Sequence, residues 1–154
     1  MSDTFDRADW HSGDPRYPRD LTPEAAGTHI GIFLAWAILR RRVAPALEGD
    51  GAGGVLAVRR RTITGRDFLF AACDGGLRTE DLDEEGAAFA RVYWQDGRGN
   101  IRPDGYLADY ERVLGGELPD LYRVADTWPN FDLLAKVIDL RFDQWQRRHG
   151  PFSY

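Results

Sequence analysis

The sequence predicts a mainly α-helical protein, a single-domain irregular helical bundle of about five to six helices with little or no sheet. Three observations indicate this fold class. Apolar residues recur at three- and four-residue spacing in several segments, short polar turns separate those segments, and strands do not alternate with helices along the chain. A length of 154 residues with 43% hydrophobic residues is sufficient for one core. Residues 1–154 are therefore expected to form one domain.

The first twenty residues are expected to form an irregular arm packed on the body of the protein. This segment contains Gly13, Pro15 and Pro18, which are typical of irregular backbone. Its aromatic rings are expected to pack onto the core while its polar atoms stay outside. These rings belong to Phe5, Trp10 and Tyr17.

The clearest helix is predicted over residues 23–42. Thr22 is a suitable N-cap, and Pro23 suits the first helical position. Gly27 and Gly31 are four residues apart on this helix and would let another backbone approach closely. The apolar stripe that identifies the helix consists of Ile30, Phe33, Leu34, Ala37 and Ile38.

Shorter elements are predicted in the middle of the chain. The glycine-rich residues 48–54 predict a loop, and residues 55–61 are assigned to a helix, with a strand as the alternative. Thr64 resembles the N-cap of a short helix that ends at Ala72. Asp83 resembles the cap of another helix, which extends to about residue 95.

The last third of the chain is predicted to contain two more helices. One covers residues 106–114, and the other covers residues 129–148 with Thr127 as its cap. Residues 118–124, which Pro119 interrupts, are expected to form an extended connection outside any sheet. The apolar face of the last helix is formed by Phe131, Leu134, Ala135, Ile138, Phe142 and Trp145.

Composition limits the cellular context. Cys73 is the only cysteine, so an internal disulfide and a site made of several thiolates are both excluded, and a reducing cytoplasm fits. Residues 30–39 form the longest apolar run, which is too short to cross a bilayer, and the N-terminus does not resemble a secretory signal. A soluble, cytoplasmic protein without membrane contact is expected.

Negative charge is concentrated in one segment. Between Asp74 and Glu85 there are six acidic residues and one basic residue, Arg78, within a chain of net charge −5. Nucleic-acid binding is therefore disfavoured, and a basic protein partner is favoured. The alternative is that the acids serve only helix capping and solvation. The predicted partner-binding residues are Glu80, Asp81, Asp83, Glu84 and Glu85.

A search for catalytic motifs is mostly negative. The sequence contains no phosphate-binding glycine loop with its lysine, no His-Glu-x-x-His helix and no Gly-x-Ser-x-Gly elbow. His29 is the histidine within a predicted core helix, where it is either a proton-transfer group or a hydrogen-bonded core residue. No metal site and no cofactor are predicted. A candidate pocket consists of His29, Trp36, Tyr106, Asp109, Asp126 and Trp128.

Several blocks in order resemble a bacterial domain family of unknown function. The most characteristic are the helix block Thr-His-Ile-Gly-Ile-Phe-Leu-Ala-Trp at residues 28–36 and the block Leu-Tyr-Arg-Val-Ala-Asp-Thr-Trp at residues 121–128. Further similar segments are residues 63–69, 81–89 and 106–110, together with Trp10 and His11 in the arm. The resemblance assigns no activity and no catalytic residue. Small acidic bacterial domains of this kind are similar to immunity proteins, which neutralise a secreted toxin.

Two functional hypotheses follow, and a purely structural homo-oligomer is a third possibility. The first is a non-catalytic protein-binding module, an immunity-type or regulatory protein whose acidic surface neutralises a cognate toxin. The alternative is a small-ligand binder or enzyme that uses His29 together with Asp109 or Asp126. The absence of a catalytic constellation favours the first hypothesis.

Overall fold

The computed structural model describes residues 3–50, 52–96 and 98–149, and this part of the chain is mainly α-helical, as predicted. It contains eight α-helices and one two-stranded antiparallel sheet, and none of its helices is long and apolar enough to cross a membrane. The elements are β1 (Thr4–Arg7), α1 (Ala8–Ser12), α2 (Thr28–Leu39), α3 (Pro45–Asp50), α4 (Ala52–Arg59), α5 (Gly65–Ala72), β2 (Gly76–Arg78), α6 (Glu84–Tyr93), α7 (Tyr106–Tyr110) and α8 (Trp128–His149).

Helix α2 lies at the centre of the bundle. Every residue from Thr28 to Ile38 is buried, because the middle of this helix is apolar on all sides and must be covered by other elements. The helix is shorter than predicted. Pro23–Gly27 forms a 3₁₀ turn to which Thr22 supplies no side-chain cap, and Arg41 ends the segment with a positive φ of 58°.

Helix α5 packs closely against α2, as the glycine at position 31 predicted. A Cβ atom on Gly31 would collide with the backbone of Arg66, and one on Gly65 would collide with the carbonyl oxygen of Gly31. The predicted cap at Thr64 is confirmed. Its hydroxyl accepts from the Asp67 amide at 3.2 Å, and the Asp67 carboxylate accepts from the Thr64 amide at 3.0 Å.

Helix α8 packs against the other side of α2, so the two longest predicted helices do touch. The indole of Trp36 donates to the Asp139 carboxylate at 2.8 Å, and the guanidinium of Arg40 donates to both oxygens of that carboxylate. The ring of Phe142 also contacts Trp36, with centroids 5.4 Å apart. The predicted cap at Thr127 is present, since its hydroxyl accepts from the Asn130 amide.

Two predicted non-helical segments were wrong. Residues 48–54 were expected to form a loop, but residues 48–50 belong to α3 and residues 52–54 to α4, while Gly51 lies outside the described residues. Pro45 starts α3, and an ion pair between Glu48 and Arg59 joins the two helices. Residues 118–124 were expected to be extended, but Leu121–Arg123 forms a 3₁₀ turn. The Asp120 carboxylate caps this turn by accepting from the Tyr122 amide.

Helices α6 and α7 lie near their predicted positions. Asp83 caps α6 by accepting from the Gly86 amide at 2.7 Å, as predicted, and the helix ends at Tyr93. Helix α7 continues into the π-helical turn Glu111–Gly115, which corresponds to the remainder of the predicted helix over residues 106–114.

The prediction of an irregular N-terminal arm was wrong for residues 4–12, whereas residues 13–20 form neither helix nor strand. The arm contains β1 and α1, and β1 pairs with β2 in the register Thr4 to Arg78 and Arg7 to Gly76. An irregularity in the register between Thr4 and Asp6 leaves two consecutive side chains, Phe5 and Asp6, buried. The expectation that the polar atoms of the arm stay outside therefore fails at Asp6.

Candidate functional site

Asp6, His11 and His29 form a compact cluster between the N-terminal arm and the central helix. The Nε2 atom of His11 lies 2.8 and 2.9 Å from the two carboxylate oxygens of Asp6. The Nε2 atom of His29 lies 2.8 Å from Asp6 Oδ2. The two imidazole rings meet edge to face, with centroids 4.9 Å apart. One buried carboxylate thus accepts hydrogen bonds from two imidazoles.

Local structure explains how the three residues meet. The register irregularity of β1 directs Asp6 inward, and α1 follows at once, so that His11 lies one helical turn further along the chain. His29 lies in the first turn of α2 and is completely buried. The side chain of His11 keeps 16% of its surface exposed, so the cluster reaches solvent at this residue.

The protonation state of the cluster follows from its hydrogen bonds. Burial raises the pKa of Asp6, but the hydrogen bonds from His11 and His29 outweigh this effect and bring it down to about 2. Burial lowers the pKa of His29 more than the Asp6 carboxylate raises it. Asp6 is therefore ionised and His29 neutral near pH 7. Because Nε2 of His29 donates to Asp6, its Nδ1 atom carries the free lone pair.

Three buried polar atoms around this cluster have no hydrogen-bond partner among the described residues. They are Nδ1 of His29, Nε1 of Trp94 and the hydroxyl of Tyr110. The rings of Trp94 and Tyr110 lie 6.2 and 6.0 Å from the ring of His29, measured between centroids. Unpartnered buried polar atoms are costly, and one on His29 together with two on rings that pack beside it indicates a site whose polar groups are not all used among the described residues.

A groove of about 300 Å³ opens on the exposed edge of His11. The hydroxyl of Tyr122 lies 2.7 Å from His11 Nδ1, and its ring packs 5.0 Å from that of Tyr17. The ring of Trp10 is 56% exposed, although it lines this groove. The residues that line the groove are Trp10, His11, Asp14, Arg16, Tyr17 and Tyr122.

The contacts of His11 connect this groove to the buried cluster. In the tautomer whose Nε2–H donates to the ionised Asp6, Nδ1 of His11 accepts a hydrogen bond from the Tyr122 hydroxyl. Tyr122 then presents its oxygen lone pairs to the groove. The chain of groups from Tyr122 through His11 to Asp6 can transfer a proton or bind a polar group of a ligand.

The six residues of the predicted pocket do not line one cleft in the described part of the chain. Tyr106 is near His29, because its hydroxyl donates to the His29 carbonyl oxygen at 2.6 Å. Trp36 is a core residue that contacts α8. The two acids proposed as partners of His29 face other groups. Asp109 binds Tyr93, Arg112 and Arg141, and Asp126 binds Thr64 and Arg66.

Trp128 is the last of the six residues of the predicted pocket, and it contacts a cation. The guanidinium of Arg61 stacks over its ring at 4.6 Å from the centroid. The sequence correctly selected His29 as a buried histidine of the central helix but assigned it the wrong carboxylates. Asp6 and Tyr122 were not selected, and His11 was noted only within the arm. The available signal was the family resemblance, which includes His11 in the arm and Tyr122 in the block at residues 121–128.

Most acids of the predicted partner-binding surface have structural roles. The carboxylates of Asp81 and Asp83 accept backbone amides at the starts of helical turns, and Glu85 forms an ion pair of 2.7 Å with Arg42. Glu80 and Glu84 are exposed. A role of this segment in protein binding stays a prediction and depends mainly on those two residues.

Comparison with known proteins places the chain in a family. A family model described as Domain of unknown function (DUF7832) matches residues 4–124, which include Asp6, His11, His29 and Tyr122. No curated protein and no solved structure gives a significant match.

Proposed function

We propose that this chain, which belongs to the DUF7832 family of domains of unknown function, binds a small organic ligand in the groove beside His11. The observation that carries the proposal is the position of His11. Its imidazole is held from behind by the buried Asp6 carboxylate and faces the groove together with the Tyr122 hydroxyl. Pockets that combine aromatic walls with a few fixed polar groups are typical of small-molecule sites.

The chemistry of the groove walls favours a neutral ring compound that carries hydroxyl groups. Trp10, Tyr17 and Tyr122 supply aromatic faces. The charged groups of the walls offset each other, because Arg16 donates to the Asp14 carboxylate at 2.9 Å. Since neither charge is left unpaired, the groove selects by stacking and hydrogen bonding more than by charge.

A titration of the isotope-labelled full chain with phenol, cyclohexanol and methyl glucoside tests this proposal. We expect the amide and indole signals of residues 10–17 and of Tyr122 to shift, with millimolar affinity. The variant Trp10→Ala removes one wall of the groove, and loss of one stacking contact of about 1 kcal/mol weakens binding roughly five-fold. Trp10 is exposed, so this change does not disturb the core.

The matched control is Leu140→Ala, which removes an exposed apolar side chain on α8. This variant is expected to bind the same compounds as the unmodified chain does. The proposal is overturned if none of the three compounds binds, if the shifts are scattered over the surface, or if Trp10→Ala and Leu140→Ala bind equally well.

A further inference from the structure

We propose that Asp6, His11 and His29 bind one divalent transition-metal ion directly behind the groove. Each residue offers one ligand atom, and these three atoms lie within 4.8 Å of one another. The inference deepens the proposed function and rests on it, because the ion would act on the groove through the imidazole of His11.

The spacing of the ligand atoms suits such an ion. Neighbouring ligand atoms around an ion with bonds of about 2.0–2.1 Å lie roughly 2.8–3.0 Å apart in an octahedral site and roughly 3.3–3.4 Å apart in a tetrahedral one. The Nε2 atoms of His11 and His29 lie 2.8 Å from oxygens of Asp6, and all three ligand atoms lie within 4.8 Å of one another. Coordination would therefore require the two Nε2 atoms to give up their protons and the two rings to turn toward a common point.

The types of ligand atom select the class of metal. Two imidazole nitrogens and one carboxylate oxygen suit zinc, cobalt, nickel, copper or ferrous iron, whereas magnesium and calcium prefer all-oxygen sites. Three protein ligands leave a coordination position open, which is characteristic of metal sites that bind a further molecule. The imidazole of His11 lies between the ion and the groove, so a ligand in the groove would sense the ion through this ring.

The surroundings of the Nδ1 atoms of His11 and His29 also bear on metal binding. When Nε2 of a neutral histidine binds a metal, its proton moves to Nδ1, which then needs an acceptor. The hydroxyl of Tyr122 already lies 2.7 Å from Nδ1 of His11. The buried Nδ1 atom of His29 has no partner among the described residues, and the ring of Tyr110, with its unpartnered hydroxyl, packs beside it.

Metal binding would also change what Tyr122 offers to a ligand. In the metal-free protein the Tyr122 hydroxyl donates to His11 Nδ1 and presents lone pairs to the groove. With the proton on Nδ1, Tyr122 accepts that hydrogen bond, and its own hydroxyl proton becomes available to the ligand. The ion therefore determines whether the groove prefers a donor or an acceptor.

The test begins with the full chain after treatment with a chelator and dialysis. Zn²⁺ is titrated by calorimetry, and Co²⁺ by visible absorption, which reports the coordination of the ion. We expect one ion per chain, no displacement by excess Mg²⁺, and a change of the Nε2 nitrogen signals of both His11 and His29 on addition of Zn²⁺. Absence of Zn²⁺ binding, or binding without any change at these two nitrogens, overturns the inference.

Variants identify the ligands. His11→Gln keeps a hydrogen-bonding side chain at a partly exposed position and is expected to weaken Zn²⁺ binding by at least about 100-fold. Asp3→Asn is the matched control, because it removes an exposed carboxylate of the same arm outside both the cluster and the groove, and it is expected to bind Zn²⁺ normally. Equal affinity of His11→Gln and the unmodified chain contradicts the assignment. If His11→Gln does not fold, the nitrogen signals of the unmodified chain decide.

The two proposals fail in different ways. Ligand titrations of the chelator-treated chain test the groove without the ion. If the ring compounds bind but Zn²⁺ does not, the metal inference falls and the proposed function stands. If Zn²⁺ binds at the two histidines but no ring compound binds, the metal site stands and the proposed ligand class falls.

Discussion

The carboxylate of Asp6 and the imidazole of His29 are joined by a hydrogen bond of 2.8 Å inside the core. Asp6 belongs to β1 and His29 to the central helix, so this contact fastens the N-terminal segment to the most buried element of the protein. It also fixes the tautomer of His29, because Nε2 carries the proton that Asp6 accepts.

Replacing Asp6 by asparagine is expected to destabilise the metal-free protein by about 2–3 kcal/mol, because a buried carboxylate accepts charge-assisted hydrogen bonds from two histidines. Asp3→Asn, at an exposed position of the same arm, is the control and is expected to change stability little. Urea unfolding in the presence of a chelator measures both variants. Equal midpoints and slopes for the two would contradict a supporting role of Asp6.

The close packing of α2 on α5 predicts a strong effect at Gly31. A methyl group there collides with backbone and not with a flexible side chain, so Gly31→Ala is expected to cost about 2–3 kcal/mol. Gly53→Ala is the matched control within a helix, because no atom lies within 4 Å of its added methyl group. This control is expected to stabilise the protein by roughly 0.5–1 kcal/mol. Both variants are measured by thermal unfolding. If Gly31→Ala and Gly53→Ala lower the midpoint equally, the packing argument is refuted.

The buried Asp109 carboxylate is expected to make a pH-dependent contribution to the free energy of unfolding. Burial raises its pKa, but the hydrogen bonds from Arg141, Tyr93 and Arg112 dominate and hold the pKa below its usual value. The stabilisation is therefore complete above the unfolded pKa of about 4 and is lost as the pH falls through the lower folded value. Asp109→Asn is expected to cost about 2 kcal/mol near pH 7 and less below about pH 3.

The exposed Asp104 provides the control for this prediction. Its carboxylate lies 3.6 Å from Arg102 and is 83% exposed, so Asp104→Asn is expected to change stability by less than about 0.5 kcal/mol. Chemical unfolding of both variants between pH 2.5 and pH 7 makes the comparison. A constant difference between Asp109→Asn and the unmodified chain over this range would exclude ionisation as the cause.

The single cysteine is expected to be unreactive in the folded protein. Burial raises the pKa of the Cys73 thiol to about 12, so it stays protonated at pH 8. Labelling with a thiol reagent at pH 8 should be slow for the native chain and rapid in concentrated urea. Fast labelling of the native chain would show that α5 opens at its C-terminal end.

The helices could be predicted where short-range signals were sufficient. The apolar residues of α2, the Thr64 capping box and the Asp83 cap are encoded within a few neighbouring residues. Helix α4 was predicted in part, as the helix assigned to residues 55–61, but its start and all of α3 were missed because glycines obscured the periodicity. The ion pair between Glu48 and Arg59 that joins the two helices depends on the fold.

The candidate site could be predicted only in part, because its residues are distant in the sequence. His29 was recognisable from its place on an apolar helix. Its carboxylate partner, Asp6, is buried through a register irregularity between Thr4 and Asp6 that no local pattern announces. Tyr122 reaches His11 from a 3₁₀ turn that Asp120 caps. The sequence predicted an extended connection over residues 118–124, because the segment contains a proline and residues of mixed polarity.

The pairing of β1 with β2 has a consequence for biosynthesis. Thr4 is the partner of Arg78, so the strand that orients Asp6 cannot settle until the ribosome has passed this residue, and Tyr122 follows later still. A nascent chain that ends before Gly76 lacks the partner strand of β1 and therefore the register that directs the Asp6 carboxylate inward. The earliest-made part of the protein is thus among the last to acquire its native neighbours.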